Sequence, residues 1–78
     1  MNINYCDTIY QTENFENKDD GCIGLELIAT TKSEVIPVAR ITFWDAEGQF
    51  FIDLFSKELP LQIVEEFISE AKKQVKVS

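Results

Sequence analysis

The sequence contains no histidine, only one arginine (Arg40) and only two cysteines (Cys6 and Cys22). Without histidine, the commonest general base and the commonest transition-metal ligand are missing, and Ser–His or Cys–His nucleophile pairs are excluded. The cysteines lack the CxxC spacing of zinc and thioredoxin-like motifs, and no Walker loop or GxGxxG pattern is present. We therefore predict that the protein is not an enzyme, and we predict no catalytic, cofactor-binding or metal-binding residues.

Basic charge and long apolar runs are also scarce. Seven Lys and Arg stand against fourteen Asp and Glu, which gives a net charge of −7. Nucleic-acid binding needs clustered Lys and Arg to displace counterions from phosphates, so we expect no nucleic-acid partner. No run of about 18 apolar residues is present, and the first five residues lack the basic start of a secretory signal. We expect a cytoplasmic protein with no membrane partner.

The two thiols are predicted to be reduced. If residues 3–10 and 22–31 pair as a hairpin, Tyr10 lies opposite Cys22, and Cys6 is then about 13 Å away at about 3.3 Å per residue. A disulfide needs Cα atoms within about 7 Å of each other. A shifted register would change that distance.

The 78 residues, 45% of them hydrophobic, predict one domain spanning residues 1–78. Segments rich in β-forming residues predict four strands, over residues 3–10, 22–31, 35–44 and 49–55. The polar segment 11–21 between the first two is interpreted as an irregular loop that ends in the Asp19-Asp20-Gly21 turn signal.

The segment Asp45-Ala46-Glu47-Gly48 predicts a hairpin turn. Asp45 suits the first position of a type I turn, and Gly48 suits the left-handed position that follows. This turn places Trp44 opposite Phe50.

Pro60 fits the first turn of a helix, which is predicted over residues 60–75. Its apolar stripe consists of Leu61, Val64, Ile68, Ala71 and Val75, widened by Ile63 and Phe67. The predicted fold is therefore α+β, a four-stranded antiparallel meander with one C-terminal α-helix packed on one face in two layers.

The strands carry more apolar side chains than one helix can cover. A helix of this length measures about 24 Å and covers one sheet face only, whereas strict alternation makes both faces apolar. Large exposed apolar patches mark interaction surfaces, and most oligomers are cyclic dimers, so we predict a homodimer. The alternatives are a different protein partner and an N-terminal segment folded over the second face. The candidate interface residues are Ile36, Val38, Trp44, Phe50, Phe51 and Phe55.

Asp53 lies between Phe51 and Phe55, where a carboxylate either faces solvent or must be paired. Strict alternation places Arg40 on the opposite face, so we interpret Asp53 as exposed at a sheet edge. Pairing with Arg40 across a subunit interface is the alternative. The acidic pair Asp19-Asp20 lacks the order of a calcium loop and is interpreted as solvated.

The sequence leaves two functional hypotheses. The first is a small acidic homodimeric protein with a regulatory or accessory role in protein–protein interaction. The alternative is an acidic inhibitor or immunity-type protein that binds a basic, nucleic-acid-processing partner. A steep loss of affinity with added salt favours the second.

Overall fold

The computed structural model describes residues 1–55 and 58–74. Within these ranges, five antiparallel strands form one sheet in chain order, followed by one helix. The elements are β1 (Asn2–Tyr5), β2 (Thr8–Asn17), β3 (Cys22–Thr30), β4 (Val35–Trp44), β5 (Gln49–Leu54) and α1 (Leu61–Gln74). The predicted α+β architecture is confirmed, whereas the predicted number of four strands is wrong.

The additional strand arises because residues 3–10 fold into a hairpin of their own. Cys6 and Asp7 form its two-residue turn with φ values of 47° and 62°, and Tyr5 pairs with Thr8. Such turns need positive φ, which Asn-Gly usually supplies. β2 then continues to Asn17 through most of the segment that we interpreted as a loop.

The turn after β2 lies where the Asp19-Asp20-Gly21 signal predicts it. The Asn17 Oδ1 accepts the backbone N–H groups of Asp19 at 3.1 Å and Asp20 at 3.2 Å. Gly21 has a φ of 70°, a conformation that suits glycine. The side chain of Asn17 therefore organises the connection into β3.

Both thiols are free, as predicted, with Cys6 exposed and Cys22 buried. The register behind that prediction is wrong, because Cys22 pairs with Asn17 and Tyr10 pairs with Ala29. Cys6 lies in the turn before β2, whereas Cys22 pairs with the last residue of β2, so the length of β2 separates the two thiols.

The β4–β5 hairpin is shifted by one residue from the predicted register. Trp44 pairs with Gln49. The Trp44 carbonyl accepts hydrogen bonds from the N–H groups of Glu47 at 3.1 Å and Gly48 at 2.8 Å. The turn thus starts at Trp44 rather than at Asp45, while Gly48 has the predicted left-handed conformation with a φ of 65°. A one-residue shift exchanges the faces of all side chains relative to the partner strand.

This shift places Arg40 directly opposite Asp53 on the same sheet face. The prediction that the two residues lie on opposite faces is therefore wrong. Asp53 itself is exposed on an edge strand, as predicted.

A β-bulge in β4 also breaks the strict alternation that we assumed. Leu27 pairs with Ala39 but Ile28 pairs with Pro37, so Val38 is the extra residue. Both Val38 and Ala39 are buried. Bulges tolerate proline because its missing N–H is not needed for the ladder there.

The core forms between α1 and one sheet face, here called the helix-side face. The sheet residues that define this face are Leu25, Leu27, Ala29, Ile41 and Phe43. The buried residues of α1 are Ile63, Phe67 and Ala71, spaced four apart along one stripe.

The predicted helical stripe is rotated in the structure. Leu61 is 73% exposed, whereas Phe67, which we placed at the margin of the stripe, is fully buried. The helix begins at Leu61, since the Pro60 carbonyl accepts the N–H of Val64 at 3.2 Å. The predicted helix end at Val75 lies outside the described residues.

Candidate protein-interaction surface

The sheet face opposite α1, here called the open face, has a row of four ionisable side chains across its middle. Cross-strand pairing sets Glu13 opposite Glu26, Glu26 opposite Arg40, and Arg40 opposite Asp53. Arg40 donates to the Glu26 Oε2 from Nε at 3.1 Å and from Nη2 at 2.6 Å. Because both side chains are partly exposed, this ion pair stabilises the fold by only about 0–1 kcal/mol. Its main effect is to fix the orientation of the arginine.

Two phenylalanines flank the Arg40 guanidinium on the open face. Its Cζ lies 5.4 Å from the ring centroid of Phe15 and 5.6 Å from that of Phe55. Both distances are within the range of about 6 Å for cation–π attraction. The open face is therefore charged at its centre, with aromatic side chains set around that charge.

An open depression of about 330 Å³ lies beside Arg40 on this face. Carboxylates and aromatic rings share its walls. The side chains that give it this character are Glu13, Asp20, Glu26, Phe15 and Trp44. Three carboxylates against one guanidinium make the depression acidic, which suits a basic group better than an anion.

Large apolar side chains are exposed along β5 and immediately after it. Phe51, Ile52, Leu54 and Phe55, together called the β5 patch, are each between 44% and 55% exposed. Alternation puts the two phenylalanines on the open face and the two aliphatic residues on the helix-side face. Because contiguous exposed apolar surface often marks an interaction site, the β5 patch is the candidate site.

β5 is an edge strand, and within residues 1–55 and 58–74 its outer side pairs with no other strand. The N–H of Phe55 donates to the Val38 carbonyl at 2.9 Å. Antiparallel ladders alternate between hydrogen-bonded and non-hydrogen-bonded pairs, so Asp53, two residues earlier, also directs its backbone groups to β4. The β5 residues whose backbone groups point outward are Phe50, Ile52 and Leu54.

The opposite edge of the sheet is far less apolar. β1 has four residues, and two of them are Asn2 and Asn4. Its Ile3 packs against the core, as does the neighbouring Met1. β5 has six residues and contains neither lysine nor proline, the residues that commonly protect edge strands from association. The two edges therefore differ in how readily they can bind another strand.

A smaller, apolar depression of about 150 Å³ lies on the helix-side face, between α1 and β5. Phe50 and Ile52 line it from the strand, and Ile68 and Ala71 line it from the helix. It lies at the side of α1, since the closest packing of the helix on the sheet is over β3.

The six predicted interface residues are divided between the two faces. Val38 is buried in the core and Phe50 packs against it, while Ile36 lies opposite Ala29 on the helix-side face. The predicted residues on the open face are Trp44, Phe51 and Phe55.

Ile52 and Leu54 are exposed apolar residues that the sequence prediction did not include. The signal for them was available, because the last strand of a meander is an edge. The segment 49–55 also contains no lysine or proline, the residues that commonly protect an edge strand.

Among the described residues, no cluster of His, Cys, Asp or Glu supplies the three ligands that could hold a metal ion. The side chain of Asp20 instead accepts the Asn17 Nδ2 at 2.8 Å. None of the helical structure in residues 1–55 and 58–74 has the length and apolar character needed to cross a membrane.

Comparison with known proteins finds no matching protein-family model, no matching curated protein and no matching solved structure.

Proposed function

We propose that the protein is a non-enzymatic protein-interaction module that acts as a homodimer, with a regulatory or accessory role in the cytoplasm. The observation that supports this proposal is the β5 patch, which exposes large apolar side chains on both faces of an edge strand. A second copy offers the same patch, so one two-fold axis covers both at once. Two free thiols fit a reducing compartment.

A charge placed in the β5 patch is expected to dissociate the dimer. Phe51→Glu puts a carboxylate into apolar surface that the partner must desolvate. We therefore expect the sedimentation coefficient to fall from that of a dimer to that of a monomer. Ile9→Glu is the matched control, because Ile9 is also exposed on the open face but belongs to β2, three strands from β5. Equal loss of association in both variants would argue against the β5 patch as the interface.

The acidic inhibitor is the second candidate function, and the acidic depression beside Arg40 favours it. Charge-driven binding to a basic nuclease is expected to weaken steeply between about 0.05 and about 0.5 M salt. Glu13→Gln is expected to weaken it further, since Glu13 lines the depression, whereas Glu65→Gln on the exposed side of α1 is the control. Affinity that is indifferent to salt excludes this candidate.

A further inference from the structure

We infer that the partner of β5 is β5 of a second copy, paired antiparallel about a two-fold axis at Ile52. The two five-stranded sheets then join into one continuous sheet. This inference rests on the proposed homodimer and specifies how the two copies meet.

The outward backbone groups of β5 determine the register of this pairing. A two-fold axis at Ile52 sets it opposite the partner's Ile52, and it sets Phe50 opposite the partner's Leu54. These are the residues of β5 whose N–H and C=O groups point away from β4. Each such pair exchanges two hydrogen bonds, so the register satisfies all the outward donors and acceptors of the strand at once.

The same register is compatible with the side chains of both faces. On the helix-side face, Ile52 and Phe50 meet aliphatic side chains of the partner beside the apolar depression under α1. On the open face, Phe51 lies opposite the partner's Asp53. The two Asp53 carboxylates are therefore not directly opposed. Asp53 is exposed in the single chain, and in the dimer each carboxylate stays in contact with solvent.

The β5 patch supplies part of the area that a specific interface needs. A phenylalanine side chain carries about 150–250 Å² and the aliphatic ones less, so two of each, about half exposed, offer at most about 400 Å² per copy. A standard interface buries about 800 Å² per partner. The patch therefore supplies about half of the area that a standard interface buries, and the paired β5 backbones and the surface around the apolar depression must supply the rest.

Face-to-face association of the open faces is disfavoured by the charged row. It would remove Glu13, Glu26, Arg40 and Asp53 from water, and in one copy three carboxylates share a single guanidinium. Desolvation of charges that are not fully paired is unfavourable. Edge pairing leaves this row in solvent.

A matched pair of variants at Ile52 separates strand pairing from contact between side chains alone. Both Ile52→Ala and Ile52→Pro replace the isoleucine by a smaller apolar side chain, but only the proline removes the outward N–H. Because that N–H does not bond to β4, proline is tolerated in the single copy, which circular dichroism checks. We expect Ile52→Pro to raise the dissociation constant at least about tenfold above that of Ile52→Ala. Equal dissociation constants would overturn the strand pairing.

Hydrogen exchange on the unmodified chain gives an independent measurement that does not depend on a variant folding. The amides of Phe51 and Asp53 bond to β4 and are expected to be protected at every concentration. The amides of Phe50, Ile52 and Leu54 are expected to become protected only as the concentration rises through the dissociation constant. A dimer in which these three amides still exchange rapidly overturns the strand pairing and leaves the proposed function standing. A chain that stays monomeric overturns both.

Discussion

Replacing Phe67 by alanine is expected to lower the free energy of unfolding by about 3–5 kcal/mol. Phe67 is completely buried at the centre of the α1 stripe, and truncation of a buried phenylalanine leaves a cavity as well as losing apolar burial. A domain of 78 residues has only about 4–12 kcal/mol of stability in total. Urea denaturation followed by circular dichroism should therefore show a much lower midpoint for the variant, because the loss is a large fraction of the total.

Leu61→Ala is the matched control for this prediction. Leu61 lies in the same helix but is 73% exposed, so its truncation is expected to change stability by less than about 0.5 kcal/mol. The stripe predicted from the sequence included both residues, so it predicts a loss of stability for both truncations. The observed stripe predicts a loss for Phe67 only. A larger effect at Leu61 than at Phe67 would mean that α1 packs in a different rotation.

Gly24→Ala is expected to destabilise the protein by about 2–4 kcal/mol, although alanine is ordinarily the more favourable residue inside a strand. A Cβ at this position collides with the Ile41 carbonyl oxygen of β4 and comes within 2.8 Å of the Phe15 ring. The carbonyl belongs to the backbone of a neighbouring strand and cannot move aside without disturbing the sheet. Thermal or urea unfolding of the variant measures the loss.

A double variant identifies which of the two contacts causes this loss. Phe15→Ala removes the ring but leaves the Ile41 carbonyl in place, so Gly24→Ala should remain strongly destabilising in the Phe15→Ala background. If the cost disappears in that background, the aromatic ring rather than the backbone is the obstacle.

Local signals were sufficient to predict most of the architecture. Pro60 and the apolar spacing that follows it predict α1. Gly48 predicts the β4–β5 turn because glycine readily adopts the left-handed conformation that it has there. The strand count was wrong because a two-residue turn at Cys6 and Asp7 carries no Asn-Gly signal. Composition alone indicated extended structure over that segment but could not show that the chain reverses within it.

Errors of register explain most of what sequence reasoning missed at the candidate surface. The bulge at Val38 moves that residue into the core, and the one-residue shift of the hairpin brings Arg40 and Asp53 to the same face. Both features depend on contacts between strands rather than on residue periodicity, which is why alternation could not predict them. Phe51 and Phe55 were nevertheless correctly placed together on one strand face, because they lie within a single regular segment.

Sedimentation equilibrium of the unmodified chain at micromolar concentration tests the proposed self-association most directly. We expect a mass of about twice 9.0 kDa, which falls towards 9.0 kDa on dilution. A mass of 9.0 kDa that persists up to about 100 μM would show that the β5 patch stays uncovered, and it would contradict the proposed dimer.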